Sequence, residues 1–350
     1  MKITGMRVAI IVLNYNQKKL LESCLRSLSA LRYDNYSVIV VDNGSMDGSM
    51  GLVKEFFKDI KIIELGENTG FCKGNNLGIA YALKDGFDGV VILNNDTEVD
   101  PDFLREVAAA VDTKRKIGMV SIKIALIDKT DTIDAVGFMI TPDGLGKNLG
   151  AGEKVGAFEE DREVFCPTGA ATFYSRELLE DIRQGESGYY DEDFRYYYEE
   201  LDLGWRARLR GWKCVLASKA KVYHHKSATI GSYSDLAIYC SNRNVFFNII
   251  KNYPSSAYLL RALFLSFFRY LFWIAGMFLG KGAGHKISGS RSIFQVVKIF
   301  LTSFWEAMAK SGKMFSKRKY IQGRKKVGEE EIERWFKELG FSFLDSIYKP

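Results

Sequence analysis

Five cysteines in 350 residues, Cys24, Cys72, Cys166, Cys214 and Cys240, lie far apart, and no two share a short spacing. That spacing argues against a zinc site, a redox dithiol and a disulfide framework, and it fits a reducing compartment. The G-x-G-x-x-G of dinucleotide-binding units and the G-x-x-x-x-G-K-[ST] of phosphate loops are both missing. The N-terminal "MKITGMRVAIIVLNYN" has too short an apolar run for a signal peptide and leads directly into a strand pattern, so the expected location is the cytoplasm. Histidine is scarce, with three in the chain and two of them adjacent at 224 and 225. Acid is nearly absent from one long stretch: Lys251 to Lys326 holds fifteen Lys and Arg against Glu306 alone, a net charge near +14 in a chain whose total is +6. The first 250 residues are therefore mildly acidic. A basic segment of that length suits nucleic acid or an anionic membrane surface.

What is present is a chain with 47% hydrophobic residues, enough for a sizeable core and for one large domain with additions or two domains. Apolar, β-branched runs at Arg7 to Leu13, Ser37 to Asp42, Ile60 to Leu65 and Gly89 to Asn94 alternate with helically spaced stretches such as Lys18 to Leu31 and Lys73 to Lys84. This alternation predicts an α/β fold with a mostly parallel sheet covered by helices. In such sheets ligands bind beyond the carboxyl ends of the strands. The residues there are Asn14 to Asn16 ("NYN"), Asp42 to Ser49 ("DNGSMDGS"), Glu67 to Asn76 ("ENTGFCKGNN") and Asn94 to Val99 ("NNDTEV"). Each alone is a good turn or helix-cap sequence. Four polar loops on one sheet edge point to a common site.

The motifs "VVDNGSMDGS", "NTGFCKGNNLGI" and "LNNDTEV", with further matches to about Asn244, resemble the family 2 glycosyltransferases, in particular their rhamnosyltransferase-like branch. The resemblance covers roughly two thirds of the chain. It implies a GT-A fold (Rossmann-like, mostly parallel sheet with flanking helices), a nucleotide-diphospho-sugar donor such as dTDP-rhamnose or a UDP-sugar, and Mg²⁺ or Mn²⁺. The loop residues fit that chemistry. Asn14, Asn16, Asn94 and Asn95 can hydrogen-bond a donor, and the Asp42 carboxylate can accept from a base or ribose. The Gly70, Gly74 and Asn75 region can bring backbone close to the nucleotide, with Lys73 offsetting diphosphate charge. A cation bound to a diphosphate needs only one or two protein oxygens, and Asp96 is the acid for it. Where the family often has a DxD sequence this chain has Asn94-Asn95-Asp96, an amide in place of the first acid.

Farther along, Cys166 to Ile182 puts small residues around Gly169, open to an approaching acceptor, before a helical run. In "YYYEELDLGWRARLRGW" Glu199, Asp202 and Arg206 fall on one helical face. Glu200 sits where the family's catalytic base does, with Glu199 its rival, Asp202 close behind and Arg206 on the acceptor side. An inverting transfer needs one carboxylate to take the acceptor's proton. His224 matches the family's metal histidine better than His225 and precedes a small hydroxyl-rich loop. Arg243 and Asn244 are a further family feature, with Arg243 near the acceptor.

Composition changes after Pro254. Ala257 to Gly282 is apolar but interrupted by Arg261 and Arg269, which leaves eleven apolar or glycine residues before Lys281, too few for a simple spanning helix. Arg291 to Lys310 reads as an amphipathic helix, with Arg291, Gln295, Lys298, Thr302 and Glu306 opposite Ile293, Val297, Phe300, Leu301, Phe304 and Met308. With "KMFSKRKYIQGRKK" beyond it, the tail is expected to lie on the inner face of the cell membrane. Phe264, Phe268, Trp273, Phe300 and Phe304 would face the acyl boundary, and Arg261, Arg269, Arg291 and Lys298 the phosphates. Aromatics in continuous apolar faces weigh against nucleic acid as partner. The expected division is a catalytic domain over 1–250, with nucleotide-sugar binding in 1–125 and the acceptor and catalytic portion in 126–250, and a helical membrane-association region over 251–350. A chain ending at Pro254 should then keep a foldable nucleotide domain. The expected partners are the nucleotide-sugar donor, a lipid-linked or polysaccharide acceptor and the anionic membrane surface. Two rival functions stand beside glycosyl transfer: a nucleotidyltransferase acting on sugar phosphates, and a non-catalytic membrane scaffold that keeps the pocket for binding.

Overall fold

The computed structural model describes residues 5–185, 188–225, 234–289 and 291–344. The chain divides into two compact units, neither continuous in sequence. Unit 1 is Met1–Phe138, Asn148–Arg195 and Gly211–Thr229; unit 2 is Met139–Lys147, Tyr196–Arg210 and Ile230–Pro350.

Unit 1 opens with β1 (Val8–Asn14), α1 (Lys18–Leu28), β2 (Tyr36–Asp42), α2 (Ser49–Phe56), β3 (Lys61–Glu64), α3 (Phe71–Lys84) and β4 (Gly89–Asn94). It continues with β5 (Thr97–Val99), α4 (Phe103–Ala110), β6 (Ile117–Leu126) and β7 (Lys129–Ala135). A hairpin of β8 (Phe138–Ile140) and β9 (Gly146–Asn148) crosses the unit boundary. β10 (Arg162–Val164), β11 (Ala171–Ser175), α5 (Arg176–Ile182) and β12 (Lys213–His224) complete the unit. The main sheet runs β10-β12-β6-β11-β4-β1-β2-β3. β3, β2, β1 and β4 are mutually parallel, as their alternation with helices predicts. Beyond β4 the sheet turns mixed, because β11 runs antiparallel to both β4 and β6. The core is the aliphatic filling of these strands and the inner faces of α1, α2 and α4, including Ile10, Val40, Val91, Leu25, Val53 and Phe103.

Register makes the site edge. Asn14 pairs with Asp42, and Leu13 with Asn94, so β1, β2 and β4 end level with one another. On the far side His224, last in β12, pairs with Thr97 of β5 and with Leu126 of β6, and β6 also carries β7. Gly74 serves packing: a Cβ there would lie 2.5 Å from Leu13 Cδ1, so the glycine lets α3 press against β1.

Unit 2 contains α6 (Glu199–Leu209), α7 (Asp235–Asn252), α8 (Ser256–Leu279), α9 (Gly282–Ser288), α10 (Ile293–Ala309), α11 (Ser311–Gly323) and α12 (Glu329–Glu338). The tail helices build unit 2's own interior together with α6 and α7. Trp335 of α12 packs edge-on to Trp205 of α6 with ring centroids 6.0 Å apart, and Trp273, Met277, Val296 and Phe300 form one cluster with Ile238. A chain cut at Pro254 would leave α6 and α7 without those partners. The tail expectation changes in three further ways. Arg269 is fully buried and paired with the Asp143 carboxylate, so it does not reach headgroups. With that charge neutralised inside unit 2, α8 runs unbroken for 24 residues, long and apolar enough by length and composition to cross a membrane. Trp273 and Phe300 point inward, and α10 buries the stripe Val296, Phe300, Ser303 and Ala307 while Phe294 and Trp305 are exposed.

Candidate active site

The polar ends of β1, β2 and β4 in unit 1 are joined by side chains. Asn95 Nδ2 donates to Asn14 Oδ1 at 2.7 Å, Asn14 Nδ2 donates to Ser45 Oγ at 3.1 Å, and the Ser45 N–H points at the Asp42 carboxylate at 3.2 Å. Asn16, with a left-handed φ of 52°, accepts from the Met46 N–H at 2.7 Å and gives its own N–H to Ser45 Oγ at 3.0 Å. Asn14, Asn16 and Asn95 therefore spend these groups on bracing three loops, which fixes Asp42 at the strand ends. Asn94 bonds back through its N–H to Ala170 O at 2.9 Å, which brings the Gly169 turn to the same edge. Gly70, φ 86°, starts α3, with Lys73 exposed on its first turn. Asn75 is fully buried, gives Nδ2 to Phe71 O at 3.0 Å and leaves Oδ1 without a hydrogen bond among the described residues.

Asp96 and His224 meet at the other side of the β4 turn. The His225 N–H donates to Asp96 O at 2.9 Å, a bond made possible by the pairing of β12 with β5. His224 Nε2 lies 3.4 Å from Asp96 Oδ1, and its Nδ1 lies 2.8 Å from Asp134 Oδ2. Burial works against the imidazolium, but the Asp134 hydrogen bond and the two carboxylates outweigh it and raise the ring to about 9. His225 instead faces Glu98 at 3.7 Å. The loop that follows, residues 227–231, lies outside the described residues.

These groups would fit a divalent cation shared with a diphosphate, provided that the cation displaces the Nε2 proton the two carboxylates hold on His224. Asp96 Oδ1 is buried and makes no hydrogen bond, an arrangement that is costly unless a ligand completes it. Its 3.4 Å separation from Nε2 is too long for a good hydrogen bond and close to the roughly 3 Å between adjacent ligand atoms of an octahedral ion with bonds near 2.1 Å. Asp134 orients the ring from behind, as carboxylates behind metal-binding histidines do. Among the described residues no group of three or more His, Cys, Asp or Glu forms a cage, so such an ion would need oxygens from its substrate. Asp134 carried no motif in the sequence; an acid in an alternating strand, 90 residues from its partner, was its only trace. Asn76 was also missed. It receives the Tyr190 N–H at 2.8 Å and donates to Tyr190 O at 2.9 Å, tying α3 to the 188–192 loop.

In unit 2 the acids stand on the first turn of α6, where the helix dipole favours negative charge. Glu199 and Glu200 are both buried. Burial pushes Glu200 to about 7, and burial together with the Glu200 charge pushes Glu199 well above the usual carboxyl range. The two carboxyls therefore titrate as a pair, both pushed up by burial, and share one proton around neutrality. Asp202 is enclosed: Oδ1 takes Lys251 Nζ at 2.6 Å and Asn252 Nδ2 at 2.8 Å, and Oδ2 takes Arg206 Nε at 2.9 Å. Fully buried and charge-paired, it is suited to holding α6 rather than to taking a proton. Arg206 is buried with it, and Arg243 is buried beside Glu306 at 3.1 Å, so neither presents an open guanidinium to an acceptor.

The family model "Glycosyl transferase family 2" matches residues 9–183, half of the chain. A low-salt glycan biosynthesis hexosyltransferase, Agl10 of Haloferax volcanii, is 26% identical over 204 residues, 57% of this chain and 61% of its own. The poly-β-1,6-N-acetyl-D-glucosamine synthase of Staphylococcus aureus is 24% identical over 219 residues, 62% of this chain and 49% of its own. The chain thus matches about half to three fifths of the length of these curated relatives. Among solved structures, the mannosyltransferase PcManGT of Pyrobaculum calidifontis, in complex with GDP-Man and Mn²⁺, superposes with a TM-score of 0.54 at 16% identity, over 91% of this chain and 85% of its own. That likeness shows a common fold, the GT-A architecture of a mixed sheet with flanking helices, and the family match places the chain in it by sequence: this protein belongs to glycosyl transferase family 2.

Proposed function

We propose that this protein is an inverting hexosyltransferase that moves rhamnose or a similar sugar from a nucleoside-diphosphate donor, dTDP- or UDP-linked, to a lipid-linked or growing glycan. The observation that carries this reading is the buried Asp96 oxygen with no hydrogen bond, facing a histidine ring that Asp134 holds in place. Asp96 and His224 would hold Mg²⁺ or Mn²⁺, which when bound offsets the charge of the departing diphosphate. Asp42, fixed by Ser45, is the acceptor for a base or ribose donor group, and Lys73 adds positive charge near the start of α3. Glu200 takes the proton of the attacking hydroxyl; an acidity near 7 leaves it ionised often enough to accept and basic enough to pull. Glu199, holding its proton beside it, keeps the pair at a single negative charge.

Support for a membrane location comes from unit 2. Leu260, Phe264, Phe267 and Phe278 of α8 and Phe294, Leu301 and Trp305 of α10 are exposed, more bare apolar side chain than two helices ordinarily leave to water. Beside the basic charge of residues 251–326, this pattern suits a bilayer with anionic headgroups, entered from the cytoplasmic side.

The test is to incubate the full-length protein with UDP-, GDP- and dTDP-hexoses, a lipid-linked or oligosaccharide acceptor and Mn²⁺ or Mg²⁺, and separately with nucleoside triphosphates and hexose 1-phosphates, following nucleoside diphosphate or pyrophosphate release and the configuration of the glycoside by NMR. Release of a nucleoside diphosphate with inversion is expected. Pyrophosphate release from a nucleoside triphosphate, with every sugar nucleotide inert, would make it a nucleotidyltransferase.

A further inference from the structure

Helix α7 carries buried polar side chains that the proposed reaction does not use. Asn244 is fully buried, and its amide nitrogen donates to two successive carbonyls, Tyr196 O and Tyr197 O, each at 2.8 Å. Its own oxygen accepts from Arg243 Nε at 3.0 Å, which fixes which way the amide points. The backbone it grips is strained: Tyr197 and Tyr198 have φ of 67° and 68°, a left-handed region that aromatic residues seldom occupy, and Glu199 and Glu200 follow at once. Farther along the same helix, Lys251 and Asn252 hold Asp202. One helix therefore anchors the chain on both sides of the carboxyl pair.

We propose that Asn244 is a positioning residue for the reaction, holding the left-handed Tyr196–Tyr198 turn so that Glu200 is presented in one fixed orientation. This rests on the reading of Glu200 as the base. Only a side-chain amide brings two N–H groups to neighbouring carbonyls in so short a reach. Without it the Tyr196 and Tyr197 carbonyls lose their shared donor, the turn loosens, and the glutamates shift with it. A residue that merely glued α7 to α6 would affect stability and leave the chemistry alone.

The test compares full-length Asn244→Ala, Asn244→Gln, Asn242→Ala and Glu200→Gln. Asn242 is a control on the same helix: it is buried, donates to Ile238 O at 2.7 Å and accepts from the Tyr270 hydroxyl at 2.8 Å, with no bond to the turn. The probe is a panel of UDP-, GDP- and dTDP-hexoses with Mn²⁺ and a lipid-linked or oligosaccharide acceptor, water being the acceptor where none is used, read as nucleoside diphosphate release across pH, beside thermal melting. Asn244→Ala is expected to lose on the order of 10- to 100-fold in kcat with donor KM unchanged, since a small misplacement of a catalytic group costs that much. The midpoint of its pH–rate curve should fall, because water reaching the carboxyl pair removes part of the burial that raises it. Asn244→Gln, which keeps the amide, should lie between it and the natural protein; if Asn244→Ala does not fold, that intermediate loss decides. Asn242→Ala should melt earlier with kcat and midpoint unchanged. The proposal is overturned if Asn244→Ala, or the Gln variant in its place, keeps the natural kcat and midpoint, or if Asn242→Ala matches it in both. Full activity in Glu200→Gln would instead remove the base reading, and this proposal with it.

Discussion

Asp96 of unit 1 and Asp202 of unit 2 are held in opposite ways. At the end of β4, Asp96 has a buried oxygen with no hydrogen bond, set against a braced histidine; at the start of α6, Asp202 takes hydrogen bonds from a lysine, an arginine and an asparagine. An incomplete buried polar group is retained where a ligand completes it, and a saturated one where the backbone must not move. The contrast supports the proposed roles of Asp96 in binding and of Asp202 in holding α6.

The strongest way to break this contrast is to remove the incomplete acid. Asp96→Ala should abolish measurable transfer, a loss on the order of a thousand-fold, because several kcal/mol of charge stabilisation at the diphosphate go with it. His224→Ala should act in the same direction. Normal turnover of a sugar nucleotide by Asp96→Ala would take that residue out of the site.

Next is the carboxyl pair. Glu200→Gln should lower the transfer rate by roughly 10²- to 10⁴-fold with donor affinity kept, since the amide retains shape but cannot accept a proton. Glu199→Gln should do much less, because burial and the Glu200 charge both favour the protonated form of Glu199, which an amide imitates. In the natural protein the rate should climb as pH rises towards about 7 and level off above it, following ionisation of Glu200. A rate that falls as pH rises through that range, or a reversed ranking of the two variants, contradicts the assignment.

The buried Arg269–Asp143 ion pair should report on stability. Arg269→Met leaves Asp143 buried without its partner and should destabilise unit 2 by roughly 3–5 kcal/mol, as measured by denaturant unfolding, because an unmatched buried charge is costly. Unchanged unfolding would mean that the pair is solvated. The smallest effect is expected at the surface: replacing exposed Phe264, Phe267 and Trp305 with Ser should weaken flotation with anionic vesicles at high salt while leaving melting and donor turnover unchanged. Flotation equal to the natural protein's would take those side chains out of membrane contact.

The donor half of the fold was legible because its signals are local. β4 spans Gly89–Asn94 as its apolar run predicts, and β1, β2 and β3 fall within a residue or two of theirs, since each is a β-branched run closed by turn residues. The loops after them could be read as one edge because parallel strands end together. What stayed hidden depends on long-range pairing. Nothing near Arg269 announces Asp143, 126 residues earlier, so a buried ion pair read as a surface charge. Asp134 reaches His224 only because β7, β6 and β12 lie side by side. A sequence also does not show that neighbouring loops take both groups of the Asn14 amide and the oxygen of the Asn16 amide. The strain at Tyr197 and Tyr198 was equally invisible, because tyrosine gives no sign of a left-handed backbone.

The central claim is that Asp96 and His224 complete a cation site shared with a sugar-nucleotide diphosphate. Calorimetric titration of UDP-, GDP- and dTDP-sugars into the full-length protein, with Mn²⁺ and with EDTA, run in parallel on Asp96→Ala, tests it most directly. At least one donor should bind the natural protein more tightly with Mn²⁺ than with EDTA, and the variant should lose that difference. Equal metal-dependent tightening in both proteins, or no donor binding to the natural protein under either condition, would contradict it.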